Sequence, residues 1–383
     1  MGSTTEAFDS PAAAWAMRIA ESINADQRSP TLVVVADEEA ANLLIADLKV
    51  YAPSHTPRRY ADDHQTPYAR LTPDPAPGWG RLGLLAELAL GDQPQLIVAE
   101  AAALGRRVPK MGAVADAALL LCEGDTVDRY AVVSGLEQAG YYRVNIVEDP
   151  GTVALRGSVI DVWPPALKQP VRVDLFGDQV EALRAFDPAT QRQNDPLDLL
   201  VAGPARGYEV GARVAQDRRL DLAELNDQLK LPSQVFRDTM ARLEAGIRYP
   251  GIEALAPVLR SGDTTLLNGL RADTQVVVCG PRQVRTTLDR RDQELLDGFN
   301  QRCGDELIAP PARHRMERRG VERSLRRFDA HHLLEDHAPE RNGTARFSDL
   351  IDLRRDLLAA SQQTGTAEVD LLAPFEGNVR RWR

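Results

Sequence analysis

The sequence predicts an α/β protein in which a discontinuous parallel sheet, covered by helices, is interrupted by a small antiparallel α+β insertion. Continuous apolar runs at residues 31–36 (TLVVVA), 95–99 (QLIVA) and 274–279 (TQVVVC) are each followed by a helical pattern, as expected for strands buried on both faces of a parallel sheet. Between the second and third runs, residues 118–203 switch to short β segments separated by turn residues, the grammar of an antiparallel module. At 383 residues the chain also exceeds what one core serves, at about 100–200 residues per domain.

Residues 11–24 (PAAAWAMRIAESIN) have the alanine-rich composition of a helix, with Ser10 placed as N-cap and Pro11 at the first helical position. The strand at 31–36 leads into a helix over 38–49, whose Ala41, Leu44, Ile45 and Leu48 recur at helical spacing. A connection through Pro67, Pro73, Pro75 and Pro77 precedes a helix over 81–90, the strand at 95–99 and another short helix. Strands follow at 142–147, 152–155, 158–163, 171–176 and 180–186, with Gly177-Asp178 as a hairpin turn. Beyond about residue 204 helices resume, and the strand at 274–279 is expected to complete the sheet begun by 31–36 and 95–99. A polar stretch at 338–345 (APERNGTA) reads as a linker and 346–383 as the start of a further domain. The expected units are 1–117, 118–203, 204–337 and 338–383.

Lys and Arg number 46 against 56 Asp and Glu, a net charge of −10. Such a surface repels phosphate backbones, so nucleic-acid contact has to be local and proteins are the expected partners. No apolar run approaches the ~18 residues of a membrane span, and the N-terminus lacks secretory features, which predicts a cytoplasmic protein without membrane contact. Cys122, Cys279 and Cys303 are odd in number and far apart, against a disulfide framework or thiolate zinc site.

Motifs for chemistry are sparse. No Gly-Lys pair exists anywhere, so no loop of the G-x-x-x-x-G-K-[ST] type cradles a nucleotide. Asp37, Glu38 and Glu39 follow a strand as magnesium-holding acids do, but read better as acids at a helix N-terminus. His337 lies six residues after His331 and five after His332, off the i, i+4 spacing of helical metal ligands, and the three read as solvated residues at a helix end. From Arg313 to Arg327 (RHRMERRGVERSLRR) seven arginines meet two glutamates. Without interleaved aromatics to stack bases, this stretch reads as a solvated helix pairing with acidic surface. No nucleophile signature stands out, and neither a catalytic residue, a metal nor a cofactor is expected.

The most informative segment is 171–176 (VRVDLF). Period-2 alternation puts Val171, Val173 and Leu175 on one face and Arg172, Asp174 and Phe176 on the other. The first face is core. On the second, an aromatic beside an arginine is the chemistry of a protein-binding hot spot, unless Phe176 tucks under a neighbouring loop.

Residues 148–192 (EDPGTVALRGSVIDVWPPALKQPVRVDLFGDQVEALRAFDPATQR) carry ExPGxxxxRGxxIDVxPP followed by PVRVDLFGDxxExLRxFDPxTQR, and residues 66–82 read TPYARLTPDPAPGWGRL. These stretches resemble the UvrB-like module at the N-terminus of bacterial transcription-repair coupling factors, a resemblance covering roughly residues 8–310. It implies a helicase-like sheet with a degenerate nucleotide site and an inserted module that binds UvrA through Arg156, Arg172 and Phe176. Glu181, Arg184, Asp187 and Arg192 belong to the same signature, as either contact or structural residues. The implied role is a non-catalytic adaptor that recruits UvrA and links stalled RNA polymerase to nucleotide excision repair. RNA polymerase and DNA would be engaged through downstream modules that this sequence lacks, and without those modules the UvrA-binding surface should be open.

The excision-repair protein UvrB shares the module, and a UvrB-type DNA-damage-binding ATPase is the alternative. Against it, the loop position before the first helix holds Asp9, Ser10, Pro11 and Ala12 with no lysine, and residues 66–81 are too short for UvrB's DNA-clamping hairpin. A DNA-binding module built on the arginines of 313–327 is a third reading.

Overall fold

The structure, a computed structural model, describes residues 4–9, 14–25, 28–70, 74–260, 262–328 and 330–335. Strands and helices alternate at first: β1 (Thr4–Asp9), α1 (Trp15–Ala25), β2 (Thr31–Val35), α2 (Glu38–Tyr51), β3 (Arg58–Tyr60), α3 (Pro75–Ala89), β4 (Leu96–Glu100), α4 (Ala101–Leu104) and α5 (Met111–Asp116). The insertion supplies β5 (Leu119–Cys122), α6 (Arg129–Gln138), β6 (Tyr142–Arg143), β7 (Thr152–Arg156), β8 (Val159–Val162), β9 (Val171–Phe176), β10 (Gln179–Phe186), β11 (Gln193–Pro196) and β12 (Leu199–Ala202). Helices α7 (Ala212–Asp217), α8 (Arg219–Gln228), α9 (Ser233–Glu244), α10 (Ala256–Leu259) and α11 (Leu266–Gly269) come next. The chain then returns to the first sheet through β13 (Gln275–Cys279), α12 (Pro281–Asn300), α13 (Pro311–His314), α14 (Arg318–Leu325) and β14 (Ala330–Glu335).

The larger sheet has six strands in the order β1-β14-β13-β2-β4-β3, every neighbouring pair parallel. Its centre is the three apolar runs. Val33, Val35, Val98 and Val277 pack under α1 and α2, while Leu32, Val34, Ile97 and Val276 pack under α3, α12 and α14 with Phe328. Burying such side chains stabilises by about 1.5–3 kcal/mol each, which is why these runs place the sheet centre. The strands outside that centre, β1, β14 and β3, escape the pattern. The segment around His331 and His332 forms parallel strand β14, paired with both β13 and β1, and not a helix end. Ladder pairing from two neighbours overrides its polar composition. His337, the capping residues Ser10 and Pro11, and units beyond residue 337 lie outside the described residues.

Helix α3 begins at Pro75, six residues before the expected start. Asp74 caps it, accepting from the Ala76 N–H at 3.0 Å, and a proline in the first turn loses no intrahelical bond. The strand expected at 142–147 is only β6, two residues long.

The insertion is a second sheet, β11-β10-β9-β8-β7-β6, antiparallel throughout except for β6 against β7. Val153, Ile160, Val162, Val171, Val173 and Leu175 form its inner face, covered by Val132, Val133 and Leu136 of α6. Strands β5 and β12 pair antiparallel, Leu199 opposite Cys122 and Ala202 opposite Leu119, so the chain enters and leaves the module side by side. Two glycines set its approach to the larger body. A Cβ on Gly83 of α3 would lie 2.2 Å from the Ala166 Cβ, and one on Gly203 would lie 2.7 Å from the Ala86 Cβ. Helices α7 to α10 bury a further core of their own, including Leu222, Leu243, Leu255 and Leu259 with Leu307 and Ala309.

Candidate protein-docking face

The strand register brings the sequence-predicted residues together. Arg156 lies opposite Val159 across β7 and β8, Asp161 opposite Arg172 across β8 and β9, and Val159 opposite Asp174. Because side chains alternate along a strand and partners opposite one another share a face, Arg156, Asp161, Arg172, Asp174 and Phe176 all belong to the outer face. One half of that face is closed by Val147, Phe186 and Trp163 packing on Ala154. The other half, toward the β9–β10 turn, is open.

Phe176 ends β9 at 79% exposure, which removes the reading in which it tucks under a loop. The two-residue turn Gly177-Asp178 follows it, with Gln179 opposite Phe176. Gly177 takes φ +65, the left-handed region where a Cβ is penalised.

Arg172 departs from expectation. Its Nε donates to Asp161 Oδ1 at 2.7 Å and its Nη2 to Oδ2 at 2.9 Å, the fork geometry of a bidentate pair. The guanidinium stacks on the Phe186 ring at 4.7 Å. Gln191 covers it, accepting at 3.4 Å through both its backbone oxygen and Oε1. Hydrogen bonding to Asp161 outweighs burial and raises the Arg172 pKa above the ordinary arginine value. Arg156 Nη2 donates to the same carboxylate. The Arg156 side chain is 44% exposed and that of Arg172 only 14%, around a fully buried Asp161. Arg172 is therefore committed within the chain, and Arg156 is the cation available to a partner. Asp161 escaped the sequence reading because its role comes from two cross-strand neighbours; its place on the outward face was the available signal.

The other candidate sites organise differently. Asp37 caps α2, its Oδ1 accepting from the Ala40 N–H at 3.0 Å, with Glu38 and Glu39 in the first turn, the helix-terminus reading. At the carboxyl ends of the parallel strands, where folds of this class bind ligands, the polar groups engage each other. Glu100 accepts from Arg59 Nε at 3.1 Å and from the Asp62 N–H at 3.0 Å, and Glu38 pairs with Arg59 and His64, each at 3.1 Å. Among the described residues no group of three His, Cys, Asp or Glu is arranged to hold a metal. Within 313–327, Arg315 pairs with Asp292 at 3.2 Å and Arg318 with Asp289 at 2.6 Å, so acids of α12 meet the start of the basic stretch. No helix among the described residues is long and apolar enough to cross a membrane.

Residues 119–208 match the family described as the UvrB interaction domain. The transcription-repair-coupling factor of Myxococcus xanthus is 30% identical over 374 residues, covering 93% of this chain and 30% of that protein. Those of Mycobacterium bovis (32% over 290 residues, 71% of this chain, 23% of that protein) and Escherichia coli (25% over 320 residues, 82% and 27%) are also similar. The chain thus spans less than a third of the length of these relatives. On these matches it belongs to the transcription-repair-coupling factor family, as a region of the N-terminal, UvrB-like kind.

Proposed function

We propose that this chain is a non-catalytic adaptor whose inserted module docks UvrA on its outer face, bringing excision repair to stalled transcription. In this reading, contacts to RNA polymerase and DNA belong to parts of the longer protein outside this sequence. The observation that carries the reading is Phe176, a large aromatic 79% exposed at the end of a strand, on a face whose charged neighbours are already fixed. A large exposed aromatic on a face that also presents arginine has the composition of an interface anchor, and Phe176 has no role in the core beneath it.

Phe176 fills an apolar pocket on the partner and Arg156 meets an acceptor beside that pocket. Arg172 acts one step back, holding Asp161 and through it Arg156. Calorimetric titration of UvrA into the wild-type chain and into Phe176→Ala checks this. Loss of such an anchor is expected to cost about 2–4 kcal/mol, roughly 30- to 1000-fold in affinity. Equal affinities for the two chains would remove the face from consideration.

A further inference from the structure

The outer face carries a second arginine–carboxylate pair that the docking reading has not used. The geometry points to Arg184 as a further contact residue for the protein partner on this face, with Asp174 as the residue that positions it. The inference rests on the reading of this face as the UvrA-docking surface.

Arg184 on β10 lies directly opposite Arg172, and Asp174 lies between Arg172 and Phe176 along β9, in steps of about 6–7 Å. Arg184 Nη1 donates to Asp174 Oδ2 at 3.0 Å, and Gln193 Nε2 from β11 donates to the same oxygen at 3.3 Å. The Arg184 side chain is 40% exposed, close to the 44% of Arg156 and unlike the sunken Arg172. Two outward guanidinium groups, Arg184 on neighbouring β10 and Arg156 on β7 beyond β8, therefore lie on either side of the strand that ends in Phe176, and a third lies between them as support.

Stability does not account for the Asp174–Arg184 pair, since ion pairs this exposed contribute little to folding. The backbone around it is unusual. The register of β10 shifts once between Val180 and Ala182 against β9, and again between Arg184 and Phe186 against β11. Irregularities of this kind re-aim side chains beside functional surfaces, and here they enclose Arg184. Asp174 fixes one edge of a planar fork with five N–H donors, leaving the others for acceptors on a partner. The complementary surface is an apolar pocket for Phe176 with carboxylate or carbonyl acceptors on both sides, one facing Arg156 and one facing Arg184.

The test is calorimetric titration of UvrA with wild type, Phe176→Ala, Arg184→Gln and Asp174→Asn at two salt concentrations, each chain shown by thermal melting to be folded. Arg184→Gln is expected to weaken binding roughly 3- to 30-fold and to flatten its salt dependence, because a cation leaves the interface. Asp174→Asn is expected to weaken binding less, with the salt dependence kept, because the cation remains but is no longer held. If Arg184→Gln binds as wild type while Phe176→Ala is weakened, Arg184 is not a contact and the inference fails. If Phe176→Ala also binds as wild type, it is the docking reading that fails. If only Asp174→Asn is silent, the positioning role assigned to Asp174 is overturned.

Discussion

Asp161 holds two guanidinium groups on one buried carboxylate, and removing either of them has unequal consequences. Arg172 is the deeper partner, bidentate and stacked on Phe186, so its loss leaves the buried carboxylate to the half-exposed Arg156. Arg156 is nearly half exposed, and its loss leaves Asp161 still paired with Arg172. Breaking a buried pair from one side costs up to about 3–5 kcal/mol; with its edge exposed, Arg172→Ala should cost about 2–4 kcal/mol of stability. For Arg156→Ala the expectation is under about 1 kcal/mol. Urea unfolding of both variants checks this, and equal midpoints would show that Arg172 does not have the supporting role assigned to it. Binding should divide the other way, with the salt dependence of UvrA affinity flattened by Arg156→Ala and unchanged by Arg172→Ala.

The elements differ in how far the sequence alone locates them, for physical reasons. β2, β4 and β13 are apolar on both faces because helices cover both, so composition locates them. β9 is located because one face is core and the other wet, which makes its alternation clean. β14, β3 and β11 carry sequences that suit solvent as well as a ladder, and only neighbouring strands make them strands. The docking face follows the same division. Phe176 and the shared face of Arg172 can be read from period-2 alternation, whereas the inward commitment of Arg172 depends on Asp161 arriving from another strand. The seating of the module on α3 was equally hidden, because it depends on what Gly83 and Gly203 do not carry. A side chain at Gly83 must displace Ala166 or open the seam. Gly83→Leu should therefore destabilise by about 1–3 kcal/mol, seen as a lowered melting temperature, while UvrA affinity at low temperature stays within twofold because the docking face is remote from that seam. A wild-type melting temperature would mean that the module does not rest on α3.

Acid should loosen the molecule where its separate cores meet. Asp62 and Asp63 tie β3, α3 and α12 together through Arg81, Arg106 and Arg291. Burial pushes both carboxyls up, yet the neighbouring arginines outweigh it and hold them below the ordinary range. Their contribution is present above the unfolded carboxyl pKa and is lost only in strong acid. His314 acts at milder pH. It contacts the Ala254 backbone oxygen at 3.2 Å through Nε2 and packs edge-on against Tyr68 at 5.2 Å. Burial, with Arg260 and Arg106 adding to it, pushes its pKa down from 6.5 to about 3. The folded chain keeps this imidazole neutral while the unfolded chain protonates it, so stability is full above about pH 6.5 and falls as pH drops toward the folded value, by up to about 1.4 kcal/mol per unit. Glu87 and Asp292, raised by burial, oppose this trend, but they do so equally in a His314→Gln variant, which keeps a side-chain N–H for the Ala254 oxygen. Urea unfolding between pH 4 and 6.5 should therefore show a shallower loss of stability in His314→Gln than in wild type. Parallel curves would mean that His314 takes up its proton without disturbing the junction between α13 and the helical core.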